Sequence, residues 1–173
     1  MKKKFSIKIL FGQFITVALL AGIAIEGVTM SLFSKKEEEV VLFSEMEGHI
    51  TLNGEPVKNV KIERRINWKD DIGETDYVTT DDKGYFLLPE IKQMIKLSGF
   101  TQFVVGQEIK IETNGNEYFI WSMGKRTKNK YGELNGKPKN FKCELNDDDQ
   151  PHRLESGLLM TKCKWDSIES IKE

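Results

Sequence analysis

The sequence has little of the side-chain chemistry that most enzymes use. Its 173 residues include only two histidines, His49 and His152. It contains no Gly-x-Ser-x-Gly turn of a hydrolase, no His-Glu-x-x-His helix of a metalloprotease and no glycine-rich phosphate loop. His49 has the opposite parity to Ile50 in a predicted strand, and His152 lies in a polar loop, so we expect both at the surface. The sequence therefore predicts no catalytic residues and a protein that is not an enzyme.

An excess of positive charge is also missing, since the formal net charge is −1 at pH 7. Proteins that bind nucleic acid depend on lysine and arginine to neutralise phosphates, and a mildly acidic domain without a basic stripe is a poor candidate for that class. Residues 70–71 and 146–150 supply carboxylates, but without the alternating spacing of a calcium loop. We expect no nucleic-acid partner, no cofactor and no metal site.

Cysteine occurs only twice, at Cys143 and Cys163. Cys143 shares its predicted core-facing side of a strand with Phe141, and Cys163 shares a face with Leu159. Such a pair favours a disulfide in a protein that is exported, and two separate buried thiols are the alternative. A zinc site is not expected, because no histidine accompanies the two thiols. We predict a disulfide between Cys143 and Cys163.

Long apolar runs are confined to the N-terminus. Residues 1–8 carry four lysines, and residues 9–25 are apolar apart from Gln13 and Thr16. This pattern is typical of a signal peptide or of a membrane anchor, in which about 20 apolar residues span the hydrocarbon. Lysines before the span place the domain that follows it outside the cytoplasm.

Four interpretations of this segment stay open, one of which is a helix buried in a soluble protein. An anchor that continues to Phe33 would hold the domain at the inner membrane, facing the periplasm. Cleavage after Ala24 would secrete the domain to the periplasm. A start at Met30 would instead give a cytosolic domain. We expect export, with the membrane as a partner through the N-terminal helix.

After residue 39 the sequence changes to short runs separated by Gly, Asn, Asp and Pro, which is typical of a mainly β protein. Residues 107–121 alternate around Asn114 and Gly115 and predict a tight hairpin. Residues 90–99 predict one short helix, since their apolar side chains fit one helical face. About eight or nine strands with one short helix indicate an antiparallel β-sandwich. The predicted organisation is an N-terminal signal or anchor (1–33), a charged linker (34–39), the sandwich (40–168) and a tail (169–173).

Residues 48–68, "GHITLNGEPVKNVKIERRINW", read as two strand-like runs joined by the turn "NGEP". In the second run Ile62, Ile66 and Trp68 share one parity, as in a half-buried strand. Arg64 interrupts that apolar face, so we expect a strand end or a bulge there.

Residues 79–89, "TTDDKGYFLLP", contain a second turn signal. Asp81 is suited to the start of the turn and Gly84 to its exit. The flanking residues favour strands, so this stretch predicts a hairpin.

Both stretches resemble the signature of carboxypeptidase regulatory-like domains, which belong to the transthyretin-like sandwich group. In that signature a Gly-led strand runs into Gly-x-Pro-Val, and Thr-Asp-x-x-Gly-x-Phe follows later. The domain also resembles a small bacterial family of single domains with starts such as "VVLFSEMEG". The resemblance implies a transthyretin-like or immunoglobulin-like sandwich and no established activity. It implies turn-shaping roles for Gly48, Gly54, Pro56, Asp81 and Gly84.

The basic loop "GKRTKNK", residues 124–130, is a candidate contact patch for an acidic protein or for lipid headgroups. Its cationic members are Lys125, Arg126, Lys128 and Lys130. With the predicted anchor, this patch favours a non-enzymatic, membrane-tethered domain that binds a protein or an envelope component. The alternative function is that of a periplasmic immunity or inhibitor protein that neutralises a toxin.

Overall fold

The computed structural model of the protein describes residues 36–68, 73–97 and 102–170. All the regular secondary structure of these residues is β, and they contain no helix. The strands are β1 (Lys36–Phe43), β2 (Met46–Leu52), β3 (Glu55–Pro56), β4 (Lys61–Trp68), β5 (Glu74–Thr79), β6 (Tyr85–Leu88), β7 (Ile91–Leu97), β8 (Val105–Thr113), β9 (Asn116–Lys125), β10 (Lys137–Lys139), β11 (Lys142–Glu144), β12 (Gln150–Leu154), β13 (Gly157–Thr161), β14 (Cys163–Lys164) and β15 (Ser167–Glu169).

The chain divides into two compact units. The smaller unit comprises residues 1–38 and 96–101, and the larger comprises residues 39–95 and 102–173. The predicted signal or anchor, residues 1–33, lies outside the described residues. Among the residues that are described, no helix has the length and apolar character needed to cross a membrane.

Two sheets make up most of the larger unit. The six-stranded sheet has the order β12-β13-β9-β8-β4-β5, and its strand pairs are antiparallel. The five-stranded sheet has the order β14-β11-β2-β3, and β6 also pairs with β2. The β11–β2 pair is parallel, so the prediction of a wholly antiparallel arrangement is wrong for this pair. Two further pairs, β1–β7 and β10–β15, form two-stranded sheets.

Alternation along the strands forms the core. In β8, Val105, Ile109 and Ile111 are buried, and the charged residues between them are not. The six-stranded sheet contributes Trp121 to the core, and its ring centroid lies 6.2 Å from that of Phe141 beside β11. The inward faces of the two large sheets therefore share apolar contacts.

The two Asn-Gly turns form as predicted. Asn114 and Gly115 have φ angles of 52° and 74° and join β8 to β9 as a hairpin. Asn53 and Gly54 have φ angles of 56° and 79° and join β2 to the two-residue β3. Both turns use the left-handed region at two successive positions, which suits the right-handed twist of the flanking strands.

The turn at residues 81–84 does not form the predicted hairpin. β5 before it pairs with β4 in the six-stranded sheet, whereas β6 after it pairs with β2 in the five-stranded sheet. The turn itself is present, because Gly84 N–H donates to the Asp81 carbonyl at 3.0 Å. Local turn chemistry specified the reversal but not the sheet that the next strand joins.

The predicted short helix at residues 90–99 is wrong, because the structure has strand β7 there. The helical pattern required Met94 on the buried face, but its side chain is 55% exposed. Ile95 is buried between the exposed Met94 and Lys96, which is strand alternation. Pairing with the distant β1 supplies backbone partners that a local window cannot reveal.

The predicted linker is also corrected at its C-terminal part. β1 begins at Lys36, so strand structure extends into the charged segment 34–39. Val40, Leu42 and Phe43, which follow in the same strand, are buried. The apolar residues 40–43 of β1 are buried, and the charged residues 36–39 extend the same strand.

Candidate functional site

An open groove runs between the five-stranded sheet and β10. Its volume is about 500 Å³. Side chains from β2, β6, β10, β11 and β15 line it, together with the residues that connect β10 to β11. The polar groups used below are Glu47, His49, Tyr85, Lys137, Lys139 and Lys142.

Strand alternation places these side chains outward. In β2, Met46 and Ile50 are buried, whereas Glu47 and His49 are not. β6 and β11 have the same pattern, with Phe86 and Cys143 pointing inward. One face of the five-stranded sheet therefore packs in the core, and its other face forms the floor of the groove.

One end of the groove is a hydrogen-bonded ion pair. Tyr85 Oη donates to Glu47 Oε2 at 2.9 Å, and Lys137 Nζ lies 2.9 Å from Glu47 Oε1. The hydrogen bond from Lys137, followed by that from Tyr85, lowers the pKa of the Glu47 carboxyl. The same contacts raise the pKa values of Tyr85 and Lys137. Glu47 is held ionised and serves as the acceptor that positions both donors.

A row of basic side chains crosses the outer face of the five-stranded sheet. Lys164 in β14 is the register partner of Lys142 in β11, which is in turn the register partner of His49 in β2. His49 is followed by Tyr85 in β6, whose ring lies 5.5 Å from the imidazole. Residues paired in this way have Cβ atoms about 5 Å apart. The row thus places two ammonium groups on adjacent strands.

The lysines of this region differ in their partners. Lys164 Nζ lies 2.6 Å from Asp147 Oδ2, and Lys139 Nζ lies 3.5 Å from Glu169 Oε2. Within the described part of the chain, no acidic side chain forms an ion pair with Lys142. Lys142 is exposed and directed toward the groove.

Close packing between β2 and the β10–β11 connection requires a glycine at position 48. A Cβ atom at this position would lie 2.5 Å from the Phe141 carbonyl oxygen. That carbonyl accepts a hydrogen bond from His49 N–H at 3.0 Å. The absence of a side chain at Gly48 lets the β10–β11 connection approach β2 closely.

Glu144 of β11 organises the Asn53–Gly54 turn. Its carboxylate accepts hydrogen bonds from Asn53 N–H at 2.8 Å, from Gly54 N–H at 2.9 Å and from Thr51 Oγ1 at 2.9 Å. Burial raises the pKa of the Glu144 carboxyl, but these hydrogen bonds outweigh it and the net shift is downward. The Glu144 carboxylate thus accepts hydrogen bonds from turn N–H groups that take no part in strand pairing.

The other residues implied by the resemblance also lie in turns or beside them. Pro56 lies in β3, opposite Thr51. Asp81 accepts hydrogen bonds from the backbone N–H groups of Tyr85 and Lys83, both at 2.8 Å, and these bonds lower the pKa of its carboxyl. Gly84 has a φ angle of 74°, and its carbonyl accepts from Ile50 N–H.

A second polar cluster, the buried network, lies in the core. It comprises Ser44, Gln107, Trp121, Lys125 and Glu133, all of which are buried. Glu133 accepts from Ser44 N–H and Oγ and from Gln107 Nε2, at 2.7–3.0 Å. Trp121 Nε1 donates to Gln107 Oε1 at 3.2 Å. Every member of the network therefore has a hydrogen-bond partner inside the protein.

Lys125 supplies the positive charge of the buried network. Its Nζ lies 3.1 Å from Glu133 Oε1 and donates to the carbonyls of Val41 and Asn129 at 2.9 and 3.0 Å. Burial lowers the pKa of its ammonium, and the Glu133 carboxylate opposes that shift. The prediction that Lys125 belongs to a surface contact patch is wrong, because its side chain is 0% exposed.

The other members of the predicted patch lie at or near the surface. Arg126 and Lys130 are exposed, and Lys128 is half-buried. Lys130 forms an ion pair with Glu90 at 3.0 Å, which raises the pKa of the lysine. The structure brings these three cations into one loop but pairs at least one of them internally.

Arg64 occupies the core-facing position that the sequence pattern treated as an interruption. β4 continues without a bulge from Lys61 to Trp68, so the predicted strand end at Arg64 is wrong. The guanidinium is fully buried and forms a two-point ion pair with Asp76 of β5. It also donates to the Pro89 carbonyl at 2.6 Å and lies over the Phe43 ring at 4.6 Å. Arg64 is accommodated because its N–H groups bond to Asp76 and the Pro89 carbonyl and one face of its planar group lies over Phe43.

The predicted disulfide between Cys143 and Cys163 is present, and both residues are buried. It joins register partners of β11 and β14, with a Cα–Cα distance of 4.0 Å. The chain crosses from the six-stranded to the five-stranded sheet just before Cys163. Thr161 supports this crossing, since its Oγ1 donates to the Ile120 carbonyl at 2.6 Å and accepts from Cys163 N–H at 3.0 Å.

The acidic run at residues 146–150 is engaged with lysines. Asp147 accepts from Lys162 Nζ through its carbonyl and from Lys164 Nζ through its carboxylate, both at 2.6 Å. Over residues 36–68, 73–97 and 102–170, no group of three or more His, Cys, Asp or Glu side chains has the geometry to hold a metal ion.

Sequence reasoning missed Gln107, Glu133 and Glu144. Gln107 has the parity of Ile109 and Ile111 in β8, so its core-facing position was available from the pattern. Glu133 lies in an irregular segment between β9 and β10, where no periodicity marks the buried positions. Glu144 acts on a turn about 90 residues away, and only the tertiary structure brings the two together.

Residues 46–148, more than half of the chain, match a protein family. The chain belongs to this family, which is described as Domain of unknown function (DUF6795). The matched range includes the groove-lining residues from Glu47 to Lys142 and every member of the buried network except Ser44. Comparisons with curated proteins and with solved structures gave no match.

Proposed function

We propose that the protein is a non-enzymatic binding domain and that the groove face of the five-stranded sheet contacts its partner. The observation that carries the proposal is the contrast between the two polar clusters of the protein, the buried network and the groove. The buried network bonds to itself, whereas the groove presents Lys142 and His49 to solvent. Leu87, the register partner of Glu47, adds an apolar side chain that is 44% exposed on the same face.

The arrangement of ionisable groups favours binding over catalysis. Catalysis by side chains needs a nucleophile or base held near a reacting atom, with a group that orients it. In the groove, Glu47 is fixed by Tyr85 and Lys137, and these contacts keep it ionised. A carboxylate that is ionised and already accepts hydrogen bonds from two side chains is a weak base. It is better suited to holding its neighbours in position.

The proposed setting is outside the cytoplasm, with the domain tethered to the inner membrane or secreted to the periplasm. The Cys143–Cys163 bond supports this placement, since disulfides persist in oxidising compartments. The N-terminal lysines and apolar run support it independently. A reporter enzyme that is active only after export, fused behind Phe33, tests the placement, and an inactive fusion would favour the start at Met30.

We further propose that the fold is a transthyretin-like sandwich, as in carboxypeptidase regulatory-like domains. Two large sheets that share a core, and Asn-Gly and Asp-x-x-Gly turns at the signature positions, support this assignment. A periplasmic immunity or inhibitor protein stays as the alternative function, because its toxin would also occupy an exposed polar face. The parallel β11–β2 pair is a feature by which an experimental structure can test the topology.

The binding proposal is tested by photo-crosslinking in the native cells. A benzophenone amino acid placed at Leu87 reports contacts on the groove face. The same residue at Tyr77 is the matched control, because Tyr77 is 49% exposed and lies on the outer face of the six-stranded sheet. We expect a discrete crosslinked partner from Leu87 and none from Tyr77. Equal crosslinking from both positions, or none from Leu87, would contradict the proposal.

A further inference from the structure

The basic row on the groove face is only partly neutralised in the isolated domain, since Lys164 pairs with Asp147 at 2.6 Å whereas Lys142 has no acidic partner among the described residues. Lys142 and Lys164 are direct register partners, and like charges placed opposite each other destabilise a sheet. Lys139 enters the same groove from β10. Some other strand lysines are neutralised, such as Lys110, which pairs with Glu117 at 2.8 Å. Lys142 lacks such compensation among the described residues, so the row is a site where an external anion would stabilise the protein.

We infer that the groove binds the carboxylates of an acidic peptide segment of the partner. This inference rests on the proposed function and names the chemistry that the groove would recognise. Lys142 contacts one carboxylate, and Lys139 of β10, whose Nζ lies 3.5 Å from Glu169 in the isolated domain, contacts a second. Tyr85 and Lys137 remain bound to Glu47 and mark the end of the site.

The spacing of the donors favours separate carboxylates over a single phosphate. Adjacent strands lie about 4.8 Å apart, so the row from Lys164 to His49 extends about 10 Å. That length suits side chains of an extended peptide, which recur on one side about every 7 Å. Phosphate recognition typically uses the fork of an arginine or several converging backbone N–H groups. Among the described residues that line the groove there is no arginine.

A calorimetric titration of the full chain with an oligoglutamate peptide tests the inference. We expect binding that weakens as salt is added, because exposed charge pairs are screened. Lys142→Gln should reduce the affinity about twofold to fivefold, which is the range for one exposed ion pair. Lys139→Gln in addition should reduce it further. Lys61→Gln is the matched control and should bind as the wild type does, because Lys61 lies over Tyr77 on the other sheet.

The inference would be overturned by no binding of oligoglutamate, by binding that Lys142→Gln does not change, or by tighter binding of inorganic phosphate at the same residues. Vesicles of anionic lipid that bind through Lys142 while oligoglutamate does not would also overturn it, in favour of a membrane surface. Crosslinking at Leu87 that persists in the Lys142→Gln, Lys139→Gln variant would refute the acidic-peptide chemistry and leave the binding function intact. Oligoglutamate binding without any crosslinked partner would refute the proposed function alone.

Discussion

Lys125 and Glu133 form an ion pair in the interior of the domain, with 3.1 Å between Nζ and Oε1 and at most 6% of either side chain exposed. Taking two charges out of water is costly, and the pair is tolerated because backbone carbonyls, Ser44 and Gln107 satisfy the remaining donors and acceptors. The pair connects β9 to the irregular segment that precedes β10. It thereby fixes a segment that lacks regular secondary structure.

Breaking this pair should strongly destabilise the domain. We expect Lys125→Met to lower the free energy of unfolding by about 3–5 kcal/mol, because Glu133 would remain buried without its counter-charge. Glu133→Gln should also destabilise it, and the double variant should lose less than the sum of the two. Urea denaturation of the three variants measures this coupling. Strictly additive losses would show that the two side chains do not stabilise one another.

Arg64 should not be replaceable by lysine. An ammonium cannot reproduce the two-point contact with Asp76, the bond to the Pro89 carbonyl and the stacking on Phe43 at once. We expect Arg64→Lys to cost about 2–4 kcal/mol in thermal or chemical unfolding. Arg65→Lys is the matched control, since Arg65 is 45% exposed in the next position of β4. A similar small loss for both variants would refute the structural role of Arg64.

Glu144 should make the stability of the domain depend on pH. Its folded pKa lies below the ordinary value of 4.5, so its stabilising effect is complete above that pH and is lost as the pH falls through the folded pKa. At neutral pH, Glu144→Gln should cost about 1–3 kcal/mol, because the turn N–H groups lose a charged acceptor. The difference from the wild type should shrink below pH 4.5. Glu112→Gln, a change at an exposed position of β8, is the control and should have little effect on stability at any pH. A loss of stability in Glu144→Gln that does not depend on pH would contradict this prediction.

The disulfide should contribute to stability only under oxidising conditions. Its loop of about 20 residues is worth about 3 kcal/mol in the chain-entropy model. We expect the Cys143→Ala, Cys163→Ala variant to lose that amount relative to the oxidised wild type, and much less relative to the reduced wild type. Mass mapping without reduction should find the two cysteine peptides joined. Two thiols that alkylate freely in protein isolated from its native compartment would contradict both the bond and the proposed export.

Period-two patterns and turn chemistry were sufficient for the parts of the fold that local sequence determines. Asn114–Gly115 formed its hairpin, and Cys143 faced the core beside Phe141 as its parity required. Two of the predictions that failed concern buried charged residues. The sequence pattern places Arg64 at an interruption of the strand and Lys125 at the surface, because nothing in the sequence marks Asp76 and Glu133 as their partners.

The groove was not predictable for a related reason. Its walls come from β2, β6, β10 and β11, and the sheet order that assembles them includes a parallel pair between strands about 90 residues apart. Alternation did indicate that His49 would point away from the core, and the core-facing parity of Phe141 and Cys143 implies the same for Lys142. It could not indicate that they would share one face, because register between distant strands is fixed by tertiary packing.

The most direct test of the account is the crosslinking yield at Leu87 in native cells, measured in the wild type and in a Lys142→Glu variant. Leu87 lies on the groove face, and Lys142 supplies the charge proposed to hold an acidic partner. We expect one dominant partner, whose crosslinking yield falls severalfold in the Lys142→Glu variant and is unchanged in Lys61→Glu. An equal yield in all three proteins, or the same partner captured from Tyr77, would contradict the assignment of this face as the binding surface.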